Sequence, residues 1–300
     1  MKDHMSIPEF YARFPNEEVC KTFIERERWN DQPTCPHCGV TKVYRLTGAM
    51  KFKCSGCRER FSVRTGTIME GSKVTLQTWL LAMYMMTTAR KGISSVQFAK
   101  ELGVTQKTAW FIANRIRAAC THGGGLLSGE VEIDETYIGG KEKNKHFAQK
   151  LNAGRGAVGK KAVVGMRERS GPVRAMPIDR TDKPTLHGVV NAHVAAGSTV
   201  YTDEHRGYLG LQGFEHLSVR HSAGEYVRGK ANTNSIESFW AILKRGYYGT
   251  HHWWSHKHLH RYVSEYTYRQ NTIGLSGEPA LASMIRAGSG KRLTYVELTQ

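Results

Sequence analysis

Acidic residues are scarce in this chain. Asp and Glu number 26 against 43 Lys and Arg, which leaves a formal charge of +17 and a pI near 9.7 over 300 residues. Such an imbalance makes a polyanion the expected partner, either nucleic acid or an anionic membrane. Long apolar runs are missing as well. The longest, Trp79-Leu80-Leu81-Ala82-Met83-Tyr84-Met85-Met86, falls far short of the roughly 20 residues a membrane helix needs, and nucleic acid becomes the stronger expectation. Residues 1–15 are polar and mixed, without a charged-then-apolar leader, so a cytoplasmic location is expected. In that reducing compartment the six cysteines do not read as three disulfides. Apolar residues are not lacking. At 40% hydrophobic and 10% aromatic, the chain has material for one large domain or two to three small ones.

Four cysteines form two pairs, Cys35-Pro36-His37-Cys38 and Cys54-Ser55-Gly56-Cys57, with fifteen residues between them. This is the spacing of a zinc ribbon. Gly39 and Gly56 suit tight knuckles, and four thiolates close a tetrahedron around one structural Zn2+ with no catalytic position left. The residues between the pairs read as a basic hairpin. A module this small lacks a core, so metal binding, on the order of 10 kcal/mol, holds it together. Cys20 and Cys120 have no paired neighbour and read as buried thiols.

Residues 75–120 carry a helical period. A first apolar helix over 75–89 breaks at Gly92-Ile93-Ser94. Ser94 with Gln97 starts a second helix, which ends at Gly103. Thr105 caps a third, over 106–118, with Trp110, Ala113 and Ile116 inward. Two short helices joined by a glycine turn follow helix-turn-helix grammar. The last helix is expected to present Gln106, Lys107 and Asn114 outward, flanked by Arg115 and Arg117, side chains suited to base edges and phosphates. His122-Gly123-Gly124-Gly125 is the clearest linker.

Beyond the linker the period becomes two. Residues 130–138 alternate as a half-buried strand. A basic loop over 141–161 holds seven Lys or Arg, among them Lys141, Lys143 and Lys145, against one acid. Strands are expected at 162–166, 173–178, 199–204 and 217–220, with helices at 185–195, 234–245 and 255–269, which together make a mixed α/β sheet. Asp134 lies in the first strand and Asp203 at the end of the fourth. If those strands are neighbours the carboxylates converge, and two like charges about 4 Å apart repel by roughly 4 kcal/mol at an effective dielectric of 20. A divalent cation removes that repulsion, and hard carboxylate oxygens suit Mg2+ or Mn2+.

In the segment 234–245, Ile236, Phe239, Trp240 and Leu243 form one apolar helical stripe. Glu237 and Lys244 share another face two turns apart. The histidines and tryptophans of 251–260 are too irregularly spaced for a metal cluster and read as packing or DNA-facing residues.

The blocks Ile133-Asp134-Glu135-Thr136-Tyr137-Ile138-Gly139-Gly140-Lys141, Tyr201-Thr202-Asp203-Glu204-His205 and Asn234-Ser235-Ile236-Glu237-Ser238-Phe239-Trp240 resemble a DDE transposase of bacterial insertion sequences. More narrowly, they resemble the group with an N-terminal zinc ribbon before the catalytic core. The similarity runs from about Phe10 to Asn271. It implies an RNase H-like mixed sheet with flanking helices, and two Mg2+ or Mn2+ ions per active site held by Asp134, Asp203 and Glu237. It also implies double-stranded DNA as partner, both terminal inverted repeats and target, a homodimer or larger assembly on DNA, and association with the nucleoid. Part of the group has asparagine as its third acid. Here Glu237 takes that place, and Asn234 on the same face is a neighbour to it. Lys244, with Arg245 beside it, is implied to hold a phosphate.

The resulting division is an N-terminal helical segment at 1–30, a ribbon at 31–68, a helix-turn-helix at 73–121, a catalytic domain at 128–275 and a tail at 276–300. Two other functions are compatible with these motifs: a domesticated DNA-binding regulator with a silent core, and an RNase H-like nuclease or resolvase that cuts without joining.

Overall fold

The computed structural model describes residues 5–47, 51–121, 124–140, 142–151, 157–219 and 233–300. The chain divides into two compact units, one of residues 1–121 and 272–300, the other of residues 122–271.

The first unit begins with helices α1 (Ile7–Arg13) and α2 (Glu17–Trp29), followed by a small antiparallel sheet of β1 (Val43–Arg45), β2 (Lys51–Cys54) and β3 (Arg60–Ser62). The sheet has almost no core of its own. Phe52 and Phe61 stack at 5.2 Å and Trp29 of α2 closes edge-on over both. Helices α3 (Leu76–Thr88), α4 (Ser95–Leu102) and α5 (Gln106–Ala119) follow. Each begins where a hydroxyl accepts a first-turn N–H: Thr75 from Thr78, Ser94 from Gln97 and Thr105 from Thr108. Such caps satisfy donors that have no intrahelical partner. Gly103 ends α4 at φ +64°, a left-handed conformation that favours glycine. The turn between α4 and α5 therefore forms as its sequence predicts.

The second unit is a five-stranded sheet of β4 (Glu130–Ile138), β5 (Lys161–Glu168), β6 (Val173–Ile178), β7 (Thr199–Thr202) and β8 (Glu215–Ser218), with helix α6 (Lys183–His193) between β6 and β7. The spatial order is β6-β5-β4-β7-β8; the first three strands are antiparallel, and β7 and β8 run parallel to β4. This is a mixed sheet of RNase H-like order. Strand β8 starts at Glu215, opposite Thr199, two residues before its expected start, because pairing with β7 sets its bounds and not its own apolar pattern. Helices α7 (Asn234–Gly246) and α8 (Leu259–Asn271) complete the unit.

Alternation along the strands builds two cores. Val131, Ile133, Val164, Met166 and Val200 pack with Leu186 and Val190 of α6. On the opposite face Ile138, Val163, Val173 and Ala175 pack with Ile236, Phe239, Trp240 and Leu243 of α7 and with Tyr262, Val263 and Tyr266 of α8. Each such side chain contributes about 1.5–3 kcal/mol on burial. Gly246 lies in α7 where an added Cβ would stand 1.6 Å from the Tyr266 hydroxyl oxygen, so only glycine admits that ring.

Residues 276–300, expected as a tail, fold instead as α9 (Gly277–Gly288) and α10 (Tyr295–Thr299) within the first unit. Leu281, Met284 and Ile285 are buried, and α9 packs on α2, α3 and α5. Ile68 donates to the Gly288 carbonyl and Gly290 to that of Gly66. An apolar stripe on 280–285 that needs cover explains the departure. Among the described residues no helix is long and apolar enough to cross a membrane.

Candidate active site

Strands β4 and β7 are neighbours, and their pairing places Asp134 and Asp203 together. The recorded partners run Glu130 with Thr199, Val131 with Val200 and Glu132 with Tyr201. Asp203 directly follows the end of β7 at Thr202, two residues beyond the last pair, and its charge acts on Asp134. Adjacent strands lie about 4.8 Å apart. Asp134 points to the face covered by α7, where it meets Trp240, because Ile133 occupies the other. Glu237 lies in the first turn of α7 and is exposed; its Oε1 accepts the Thr233 hydroxyl at 3.0 Å.

Burial pushes the Asp134 carboxyl up to about 6; the charges of Asp203 and Glu237 push the same way, while hydrogen bonds from the Glu135 backbone and Trp240 oppose them. Glu135, on the opposite face of β4, is pushed up to about 7, again by burial first, against a 2.6 Å hydrogen bond from the buried Tyr208 hydroxyl. Asp203 Oδ1 accepts the His205 N–H at 2.9 Å. Among the described residues only four cysteines bring ligand atoms within 4.8 Å of one another, so the acids stand wider than a closed one-ion cage. The donors are hard carboxylate oxygens held partly out of water at a cost in repulsion, which fits Mg2+ or Mn2+.

Two groups that hold the site escaped the sequence reading. Glu132, 1% exposed, faces α7 beside Asp134. Its Oε2 accepts the Ser235 N–H at 2.9 Å, the Ser235 hydroxyl at 2.6 Å and the Ile236 N–H at 3.1 Å. The N-cap residue Thr233 supplies no side-chain cap, so a carboxylate from the sheet caps the helix, where negative charge also meets the positive helix end. Arg169 balances it, reaching Glu132 Oε1 and Glu130 Oε2 at 3.2 Å each. The signal was present in the alternation of β4, which sets Glu132 and Asp134 on one face. Trp240, read only as apolar, donates its indole N–H to Asp134 Oδ2 at 2.9 Å.

The four-cysteine cluster of the first unit is Cys35, Cys38, Cys54 and Cys57. Sulfur separations are 3.6 Å for Cys35–Cys57 and 3.5 Å for Cys38–Cys54. A tetrahedron with metal–sulfur bonds of about 2.3 Å has edges of about 3.8 Å, so the arrangement supports one structural Zn2+. The Val40 backbone N–H and the neighbouring thiols bring Cys38 down to about 6. At Cys57 a Glu59 backbone hydrogen bond favours the thiolate, yet desolvation and the other three sulfurs prevail and push the thiol up to about 12. Four sulfurs this close ionise together only around a cation.

Of the residues expected to face DNA, Gln106, Lys107, Lys143, Lys244 and Arg245 are exposed. Lys244 and Arg245 lie in the last turn of α7, where positive charge also suits the helix end. Lys145 pairs with Glu142 at 2.5 Å, and Lys141 lies outside the described residues. Asn114, Arg115 and Arg117 are a correction, because all three are buried. Asn114 donates to the Trp110 carbonyl, and Arg115 to the carbonyls of Leu293 and Glu70. The unforeseen C-terminal segment covers that side of α5, and the helix displays outward mainly its first turn. Trp254 and His251 pack with Tyr262, as expected for packing residues, while Trp253 is exposed.

Two family models match this chain: an ISXO2-like transposase domain over residues 126–271 and a transposase zinc-ribbon domain over residues 15–60. A protein of Halobacterium salinarum, described as an uncharacterized protein in transposable element ISH50, is 29% identical over 287 residues, covering 91% of this chain and 97% of its own. The ribbon, the mixed sheet and these matches agree: the chain carries a transposase zinc-ribbon domain ahead of an ISXO2-like transposase domain, the arrangement of an insertion-sequence transposase.

Proposed function

We propose that this transposase binds the ends of its element through the first unit and carries out DNA strand cleavage and strand transfer with the second. The observation that supports this is the convergence of three acids from separate elements: Asp134 in β4 feels the charges of Asp203, which directly follows the parallel neighbour β7, and of Glu237 in the first turn of α7. Asp134, Asp203 and Glu237 would hold the metal. Mg2+ or Mn2+ bound there supplies an activated attacking oxygen and neutralises charge on the phosphate. In cleavage, water attacks a phosphodiester at each element end; a bond from phosphorus to the water oxygen forms, the bond to the 3′ oxygen breaks, and a 3′-hydroxyl is freed. In strand transfer that hydroxyl attacks a target phosphodiester and displaces the target's own 3′ oxygen. No side chain need become covalently attached to DNA.

Lys244 and Arg245, exposed in the last turn of α7, would hold a DNA phosphate as point charges. Gln106 and Lys107, at the exposed start of α5, are the side chains for base and phosphate contact, with Lys143 and Lys145 along the backbone. Asp203→Asn is expected to abolish Mg2+-dependent cleavage of end-bearing DNA and to leave end binding unchanged in a mobility-shift assay. Wild-type cleavage in that variant removes Asp203 from the site. A strand-transfer assay with a target plasmid separates a transposase from a nuclease that cuts without joining.

A further inference from the structure

Trp240 does more than fill the core. Its ring lies on Gly165, the residue of β5 paired directly with Asp134. A Cβ at Gly165 would stand 2.5 Å from Trp240 Cζ2, 2.6 Å from Cη2 and 2.9 Å from Ile236 Cδ1. Any side chain there would lift the indole off the sheet. With glycine the ring settles low, and its only polar atom reaches Asp134 Oδ2 at 2.9 Å. Trp240 is 4% exposed and Asp134 is half-buried, so little water competes for that bond. Phe239, the neighbouring aromatic, offers no donor. An indole N–H can only donate, so this bond favours the ionised carboxylate over the protonated one.

We propose that Trp240 is a positioning residue for Asp134: its N–H, seated over Gly165, engages Oδ2 and fixes the plane of the carboxylate, and with it the direction in which the other oxygen meets the divalent cation. This rests on the reading of Asp134 as a metal ligand. Trp240 follows Glu237 by three residues in α7. Docking of one helix therefore sets two of the three acids, one directly and one through the indole. Partners that orient a metal ligand in this way typically change metal affinity 10–100-fold when removed.

The test uses the full chain in its zinc-bound form with Mn2+ alone as probe, free Mn2+ being read by electron paramagnetic resonance. Trp240→Phe keeps a ring over Gly165 and deletes the N–H. Its Mn2+ dissociation constant is expected to rise about tenfold, with a melting temperature within about 3 °C of wild type. A wild-type constant in Trp240→Phe overturns the positioning role. Asp134→Asn is the reference: if it binds Mn2+ as wild type does, the metal reading itself falls. Should Trp240→Phe not fold, the wild-type chain answers the question when its tryptophans carry 15N in the indole. Asp134→Asn must displace one indole resonance, and Mg2+ titration of wild type must shift that same resonance. Failure of either overturns the proposal, because a ring that merely packs has no reason to respond to the cation.

Discussion

The cap that Glu132 places on α7 makes a quantitative prediction. Glu132→Ala removes the acceptor for the Ser235 and Ile236 N–H groups and for the Ser235 hydroxyl, and takes away one of the two carboxylates facing Arg169. Each donor left unmet in a buried place costs about 1–3 kcal/mol, and removing one partner of a buried charged pair costs about 3–5 kcal/mol. These terms overlap, so the expected total is about 3–5 kcal/mol. Glu132→Gln keeps one carbonyl oxygen but turns its amide N–H2 toward either Arg169 or the helix start, with an expected loss of about 1–3 kcal/mol. The damage should be local to the start of α7. Hydrogen exchange read by mass spectrometry on a peptide covering 233–240 is the direct assay, and a loss of about 3 kcal/mol corresponds to roughly hundredfold faster exchange. Urea unfolding followed by circular dichroism gives the global figure. If Glu132→Ala exchanges at wild-type rates there and unfolds within about 1 kcal/mol of wild type, the helix is held by its apolar stripe and the cap is incidental.

Cys54→Ser is expected to lose one zinc per chain, measured by atomic absorption, and to weaken binding of element ends; an unchanged metal content would remove the ribbon from the account. Without divalent metal, stability is expected to fall as pH rises from about 4 to about 7. Asp134 at about 6, above its ordinary 3.8, and Glu135 at about 7, above 4.5, both bind protons more tightly when folded. For Asp134 that difference is on the order of 3 kcal/mol. Thermal melts of wild type and Asp134→Asn in Mg2+-free buffer isolate the contribution, and identical pH slopes would refute it. Gly246→Ala gains helix propensity yet is expected to destabilise by about 1–3 kcal/mol in urea unfolding through overpacking. Tyr266→Phe in the same chain should recover only part, since the ring carbon Cζ also lies 2.4 Å from the added Cβ. A stabilised Gly246→Ala would show that the ring moves aside freely.

Legibility in the sequence followed the range of each interaction. The caps at Thr75, Ser94 and Thr105 and the left-handed turn at Gly103 lie within four residues of the groups they serve, so local pattern reveals them. The cysteine spacing is equally local in its meaning, because each pair must bend around one ion. Asp134 and Asp203 could be paired only on the assumption that their strands are neighbours, which β7 beside β4 supplies. Where a charged side chain serves something far along the chain, its type misled. Arg115 looks like a DNA contact and instead holds the carbonyls of Glu70 and Leu293. Glu132 looks like one more acid in a strand and instead caps a helix more than a hundred residues later. Trp240 fits its apolar stripe so well that its polar edge passed unnoticed.

The first unit is assembled from both ends of the chain, with the whole second unit between residues 121 and 272. A ribosome adding about 5–20 residues per second needs roughly 8–30 s to make that stretch. During that time α5 has emerged without α9, which packs on it, and without the Leu293 carbonyl that Arg115 holds. All of the second unit is therefore made before residues 272–300, which the first unit needs to close. A chain released early would carry its cysteine cluster and its acids but an open first unit. A fragment ending at residue 121 therefore lacks α9, which packs on α2, α3 and α5, and is a poor stand-in for the first unit.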